Sequence, residues 1–138
     1  MKTPDIGLLI CNSGSSNSGA LTGIASVEVV KELGSNMIGI LSLPALANQI
    51  PRQIFLAKKL KYLLVIDGCS NSCAKKILEK AGLTCTEYLN LENDLDIEKS
   101  GPFSTLEYDF ESLNKVKDAI KKRISMMQQV SMNRTKGV

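Results

Sequence analysis

The sequence predicts an α/β domain, a mainly parallel sheet of about four strands with helices on both faces, and three observations carry that expectation. Short continuous apolar runs recur at Ile6–Cys11, Met37–Leu41 and Tyr62–Ile66. Runs of this kind suit strands covered on both sides, as in parallel sheets. Each run is followed by a segment with apolar residues at helical spacing, so strand and helix alternate. Finally, the 43% hydrophobic content is mostly aliphatic. That suits a sheet packed between helices better than a base-stacking surface, which needs aromatics.

The first run opens into a polar loop of small residues from Asn12 to Gly19. From Gly19 to Leu33, Ala20, Leu21, Ile24, Val27, Val30 and Leu33 keep helical spacing, and Gly34 is a natural stop. The second run ends at Leu43-Pro44, where proline is expected to end regular pairing. Pro51 suits the first turn of a helix with Ile54, Phe55, Ala57 and Leu60 along one side. The third run reaches Asp67-Gly68-Cys69, and the helix after it carries Ala74, Ile77, Leu78 and Ala81 before Gly82.

A fourth strand is expected over Thr84–Leu91. The polar segment Glu92–Asp109, with Gly101-Pro102, reads as a long excursion of the kind that carries function or mobility. A last helix beginning near Asp109 or Ser112 shows a stripe of Leu113, Val116, Ile120, Ile124 and Met127. Glu111/Lys115 and Asp118/Lys122 form i,i+4 pairs on its wet side. At 138 residues the chain suits one domain, over 1–130, with 131–138 as a frayed tail. Strand–helix units with right-handed crossovers give a three-layer domain, flavodoxin-like or Rossmann-like.

The net charge of +3 resides mostly in the C-terminal segment and reads as a charged helix face. Together with the scarcity of aromatics, this argues against nucleic acid as a partner. No stretch approaches the ~20 apolar residues of a membrane span, and no secretory signal is recognisable. A cytoplasmic protein is expected, in which four cysteines favour metal ligation or thiol chemistry over disulfides. Histidine is absent. That removes the usual general base and the commonest nitrogen ligand of zinc, so any metal is held by sulfur and oxygen.

Cys11 and Cys69 each end a predicted strand, and in a parallel sheet both lie on the carboxyl-end rim, where α/β proteins bind ligands. Cys73 follows four positions after Cys69, so a helix starting by Ser70 puts both sulfurs on one face. Three thiols then converge, with Asp67 and Lys75 as neighbours and helix N-termini favouring thiolate. Zinc on Cys11, Cys69 and Cys73 is expected, with water, Asp67 or a group near Ser42 as fourth ligand. Cys85 starts the fourth strand on the opposite rim, roughly 17 Å away along a five-residue strand, and reads as a small buried hydrophobe.

The loop has the glycine spacing of a phosphate cradle, but Ala20 and Leu21 replace its lysine and hydroxyl residue, which excludes nucleotide hydrolysis. Asn17 fills the arginine slot of a C-x5-R anion loop, so that clamp is missing too. Gly14, Ser16 and Gly19 remain as a loop whose backbone N–H groups could hold an anion or small ligand beside Cys11. The alternative to a metal protein is a thiol-dependent redox or oxyanion-binding enzyme. It would use Cys11 or the Cys69/Cys73 pair without permanent metal.

Cys11-x-x-Gly14-x-Ser16-x-x-Gly19 followed by Ile66-Asp67-Gly68-Cys69-x-x-x-Cys73-Ala74-Lys75-Lys76 resembles the DGC-domain proteins, over roughly the first hundred residues. The resemblance implies a zinc-binding domain with four recurrent cysteines and no particular reaction. Cys11, Cys69 and Cys73 match three of the four. The fourth family cysteine lies near the end of the second strand, where Ile40 stands in this sequence.

Overall fold

The structure, a computed structural model, describes residues 2–136, with side chains as far as Val130. Four parallel strands, β1 (Ile6–Ile10), β2 (Ile38–Ile40), β3 (Tyr62–Asp67) and β4 (Glu87–Asn90), form one sheet in the order β2-β1-β3-β4. This is the flavodoxin-like order; a Rossmann-like sheet would not place β3 beside β1. From β1 the chain goes first to one side, to β2, and then to the other, to β3. The topological switch point therefore lies between β1 and β3, which pair from Ile6↔Tyr62 to Ile10↔Ile66.

The described residues also form six helices: α1 (Asn17–Leu33), α2 (Leu43–Ala47), α3 (Pro51–Lys59), α4 (Cys73–Lys80), α5 (Leu91–Leu95) and α6 (Phe110–Lys136). The strand pleat sorts the core into two layers. Ile6, Leu8 and Ile10 face α1 and α6, where Leu21, Val116 and Ile120 are fully buried. Leu9, Leu63 and Val65 face the other way, onto Leu46 of α2 and Ala74 and Leu78 of α4. Each fully buried Leu or Ile contributes about 1.5–3 kcal/mol of transfer free energy. All five residues of the α6 stripe are buried as the spacing predicts. Among the described residues no helix is long and apolar enough to cross a membrane.

Several expectations need correction. Pro44 does not end order but lies in the first turn of α2, where a missing N–H costs nothing, and Ser42 Oγ caps that helix by accepting the Ala45 N–H at 3.3 Å. Phe55 is 56% exposed, with Lys59 Nζ 4.5 Å from its ring, so it is not part of the apolar side of α3. The i,i+4 pairs of α6 are absent from the ion pairs of the described residues, and four of its cations reach other elements. Lys115 donates to the Leu95 carbonyl, and Lys117 spans Glu28 at 3.0 Å and Glu32 at 2.8 Å on α1. Lys121 meets the same Glu32, and Arg123 binds Glu87 at 3.0 Å and lies 3.6 Å from Asp94. The expected tail over 131–138 falls on residues whose side chains, and at 137–138 whose backbone, lie outside the described residues.

Candidate functional site

The carboxyl ends of β1 and β3 meet at the switch point, and Cys11 extends their pairing by donating its N–H to the Ile66 carbonyl at 2.9 Å. Asn12 then turns the chain with a left-handed φ of 47°, its N–H bonded to Thr22 Oγ1 at 2.8 Å. The loop lies directly on the first turns of α1. A Cβ on Gly19 would stand 2.1 Å from the Ser13 carbonyl oxygen, and one on Gly23 1.9 Å from Asn12 Oδ1. Gly19 faces backbone there and so requires glycine, whereas at Gly23 the Asn12 carboxamide would have to move aside. Ser16 caps α1, its Oγ accepting the Gly19 N–H at 3.1 Å, while the Asn17 N–H donates to Ser104 Oγ at 3.0 Å. Two of the helix-start N–H groups expected to face a ligand are thus bonded within the chain. Gly14 has open space around it, and its carbonyl accepts the Thr105 hydroxyl.

The Asp-Gly-Cys stretch resolves into three separate jobs. The buried Asp67 carboxylate accepts the N–H groups of Ala74 at 2.8 Å and Lys75 at 3.0 Å, so it caps α4. Ser72, in the left-handed region at φ 53°, provides no side-chain cap of its own. The carboxylate also accepts the Tyr88 hydroxyl at 3.0 Å, and negative charge at a helix start is favourable. Gly68 packs on the backbone of α1: a Cβ there would lie 2.8 Å from the Gly19 nitrogen and from the Ser18 carbonyl carbon. Cys69 begins a turn, its carbonyl accepting the Ser72 N–H at 3.1 Å and Asn90 Nδ2 at 2.8 Å.

Because α4 starts at Cys73 and not by Ser70, Cys69 and Cys73 do not share a helix face; this corrects the sequence expectation. Cys73 is exposed at the helix start, while Cys11 and Cys69 are half-buried. The Cys69 sulfur accepts a hydrogen bond from Lys99 Nζ at 3.6 Å. The neighbouring Ser70 N–H donates to Glu92 Oε1 at 3.1 Å, and that bond holds the Glu92 carboxyl below its usual range. Cys11 is pushed the other way. Burial raises its thiol, the Ser13 backbone partly offsets this, and the charges of Asp67 and Cys73 raise it further. So Asp67 and Cys73 both act on Cys11, while the Ser13 and Gly68 backbone hydrogen bonds oppose them.

Lys75 is not turned to the thiols: its Nζ lies 4.7 Å from the Tyr88 ring centre. Burial raises the Tyr88 hydroxyl, with Ser72 and Asn90 opposing and Asp67 reinforcing the shift. Cys85 lies with the residues leading into β4, near Leu63 at the opposite end of β3, which exchanges hydrogen bonds with Thr86. It is half-buried against the α2–α4 side of the core, and burial raises its thiol as well. Ile40, at the end of β2, shares a cavity of about 280 Å³ with Cys11, Ser42 and Pro44. Ile40 therefore adjoins Cys11 across this cavity.

Three soft sulfur donors suit zinc in kind. Among the described residues, however, no three Cys, Asp or Glu side chains are gathered closely enough to hold a metal ion as they stand. Lys99, Glu92, Tyr88 and Asn90 contact this rim without a sequence expectation to announce them, and Asn17 is legible only as the residue in an empty arginine slot. Asn90 alone carried a local signal, an Asn just before a short helix, where its Oδ1 accepts the Asn93 N–H at 3.1 Å.

No curated protein and no solved structure gives a significant match to this chain. The family model of the DGC domain matches residues 8–120, a span that holds the three rim cysteines, both loops and Lys99, and the chain belongs to the DGC domain family.

Proposed function

We propose that this DGC domain binds zinc through Cys11, Cys69 and Cys73. The observation that supports the reading is the placement of three thiols at the switch point, on two strand-to-helix turns that meet where Gly68 packs on the α1 backbone, with Asp67 capping the helix of the second turn. Both Asp67 oxygens already accept hydrogen bonds from α4, and the residue that adjoins Cys11 from the end of β2 is Ile40, which offers no ligand. The fourth position is then left to water or an exchangeable small ligand or anion. Bound there, zinc would tie the turns together and present a Lewis-acid position. Three thiolate ligands require reducing surroundings, which fits the cytoplasm. The test is elemental analysis of protein purified under reducing conditions without chelator, beside Cys69→Ser. Near-stoichiometric zinc that falls in the variant supports the proposal, and metal-free wild type ends it.

The Lys99–Cys69 contact favours a second reading, a thiol-dependent redox or oxyanion-binding activity without permanent metal. A positive group beside a sulfur is an arrangement that thiol enzymes use at their nucleophiles. Mass-mapped labelling with iodoacetamide separates the two readings. A single fast thiol in metal-free protein supports this one, and uniformly slow labelling of all rim cysteines refutes it.

A further inference from the structure

We propose that Lys99 is a member of the thiol site and that Asn17 is the residue that positions it. The Asn17 carboxamide grips the backbone on both sides of Lys99: its Nδ2 donates to the Glu98 carbonyl at 2.9 Å, and its Oδ1 accepts the Ser100 N–H at 2.9 Å. Asn17 is itself 5% exposed and fixed in the first turn of α1, where its N–H donates to Ser104 Oγ. The Ser104 N–H returns to the Ser15 carbonyl at 3.2 Å. The excursion from α5 to α6 is therefore strapped across the start of α1, and Lys99 lies between the two points of the Asn17 grip. From there its ammonium reaches the Cys69 sulfur, 30 positions away in sequence.

The consequence for the site rests on the zinc reading above. Three thiolates around a divalent ion leave one negative charge in excess, and a single fixed ammonium balances it. A four-thiolate site would carry one more negative charge, but the neighbour of Cys11 at the end of β2 is Ile40, which supplies no sulfur. Lys99 thus suits the reduced donor set of this chain. A charge-assisted hydrogen bond of this kind is worth about tenfold or more in affinity.

Zinc affinity measured by chelator competition tests the proposal. Lys99→Met and Asn17→Ala are each expected to weaken binding about tenfold, and Lys99→Arg to restore most of it. The double variant should lose little beyond either single one, because both changes remove the same contact. Lys99→Met with wild-type zinc affinity overturns the proposal, as does Lys99→Arg behaving like Lys99→Met. If wild type takes up no zinc, the metal reading falls by itself, and Lys99 is judged in metal-free protein with a short amine-to-thiol cross-linker. Mass mapping should then find Lys99 joined mainly to Cys69, and that product should drop in Asn17→Ala while the melting curve stays cooperative. Cross-links to Cys69 that come from other lysines, or a yield unchanged in Asn17→Ala, overturn it.

Discussion

Gly68 lies so close to Gly19 that a Cβ on the first would stand 2.8 Å from the backbone nitrogen of the second. The other atoms in the way, Ser18 C and O, are backbone too and cannot move aside like a side-chain tip. Gly68 does not have a left-handed φ, so its requirement is space and not backbone freedom. Gly68→Ala should therefore separate the two turns that carry the thiols. The expected cost is about 1–3 kcal/mol, or a melting temperature lower by about 3–10 °C. A thermal melt that does not move would show that the turns are not in contact.

Asp67 makes a second prediction. Removing its carboxylate leaves two α4 N–H groups and the Tyr88 hydroxyl without their acceptor. Asp67→Ala should cost about 2–4 kcal/mol and Asp67→Asn, which keeps one acceptor oxygen, about 1–2 kcal/mol. Guanidinium unfolding gives the order, and amide exchange at Ala74 and Lys75 should speed up in both variants. Equal stability of Asp67→Ala and wild type would rule out the cap.

What was legible in the sequence follows from how local each signal is. The apolar runs of β1 and β3 and the α6 stripe are periodic over neighbouring residues, so burial could be read directly. The strand-end positions of Cys11 and Cys69 followed from the same runs. The start of α4 was misplaced because its cap is Asp67, seven residues before Ala74, and not a residue next to the helix. Pro44 reads as a breaker because α2 is only five residues long and has no periodicity to show, although Ser42 as N-cap and Pro44 in the first turn do mark a helix start. Lys99 could not be read at all. It reaches Cys69 only because Asn17, more than eighty residues from the strap it holds, fixes the backbone. Likewise spacing within α6 pairs Lys115 with Glu111, whereas packing brings its Nζ to the Leu95 carbonyl, and it brings Lys117 and Lys121 to Glu28 and Glu32 of α1, which no local pattern shows.

That α1–α6 contact predicts a pH effect. Hydrogen bonds from Lys117 first, and Lys121 second, lower the Glu32 carboxyl from 4.5 to about 2. A depressed carboxyl contributes stability that is present above its unfolded value and lost as pH falls through the folded one. Wild type should therefore lose a component of stability between pH 4.5 and about 2 that Glu32→Gln lacks. The pair is solvent-exposed, so the effect should be small and should shrink in salt. Parallel curves of urea midpoint against pH for the two proteins would remove the ion pair from the account.

Cys11 gives the opposite sign. Burial, then the charges of Asp67 and Cys73, raise its thiol above the ordinary 9.0, so the folded state holds the proton more tightly than the unfolded chain. The resulting stability is complete below the unfolded value and is lost as pH rises through the folded one. Cys11→Ser should flatten part of the alkaline decline in stability. In metal-free protein Cys11 should also be alkylated more slowly than the exposed Cys73, by about tenfold for each pH unit of elevation. Zinc binding needs the thiolate, so zinc uptake should release the Cys11 proton and protect all three rim cysteines from labelling together. Iodoacetamide mapping across pH, with and without zinc, reads both effects. Labelling of Cys11 that is fast at neutral pH without metal, or unchanged by zinc, would place this sulfur outside the site.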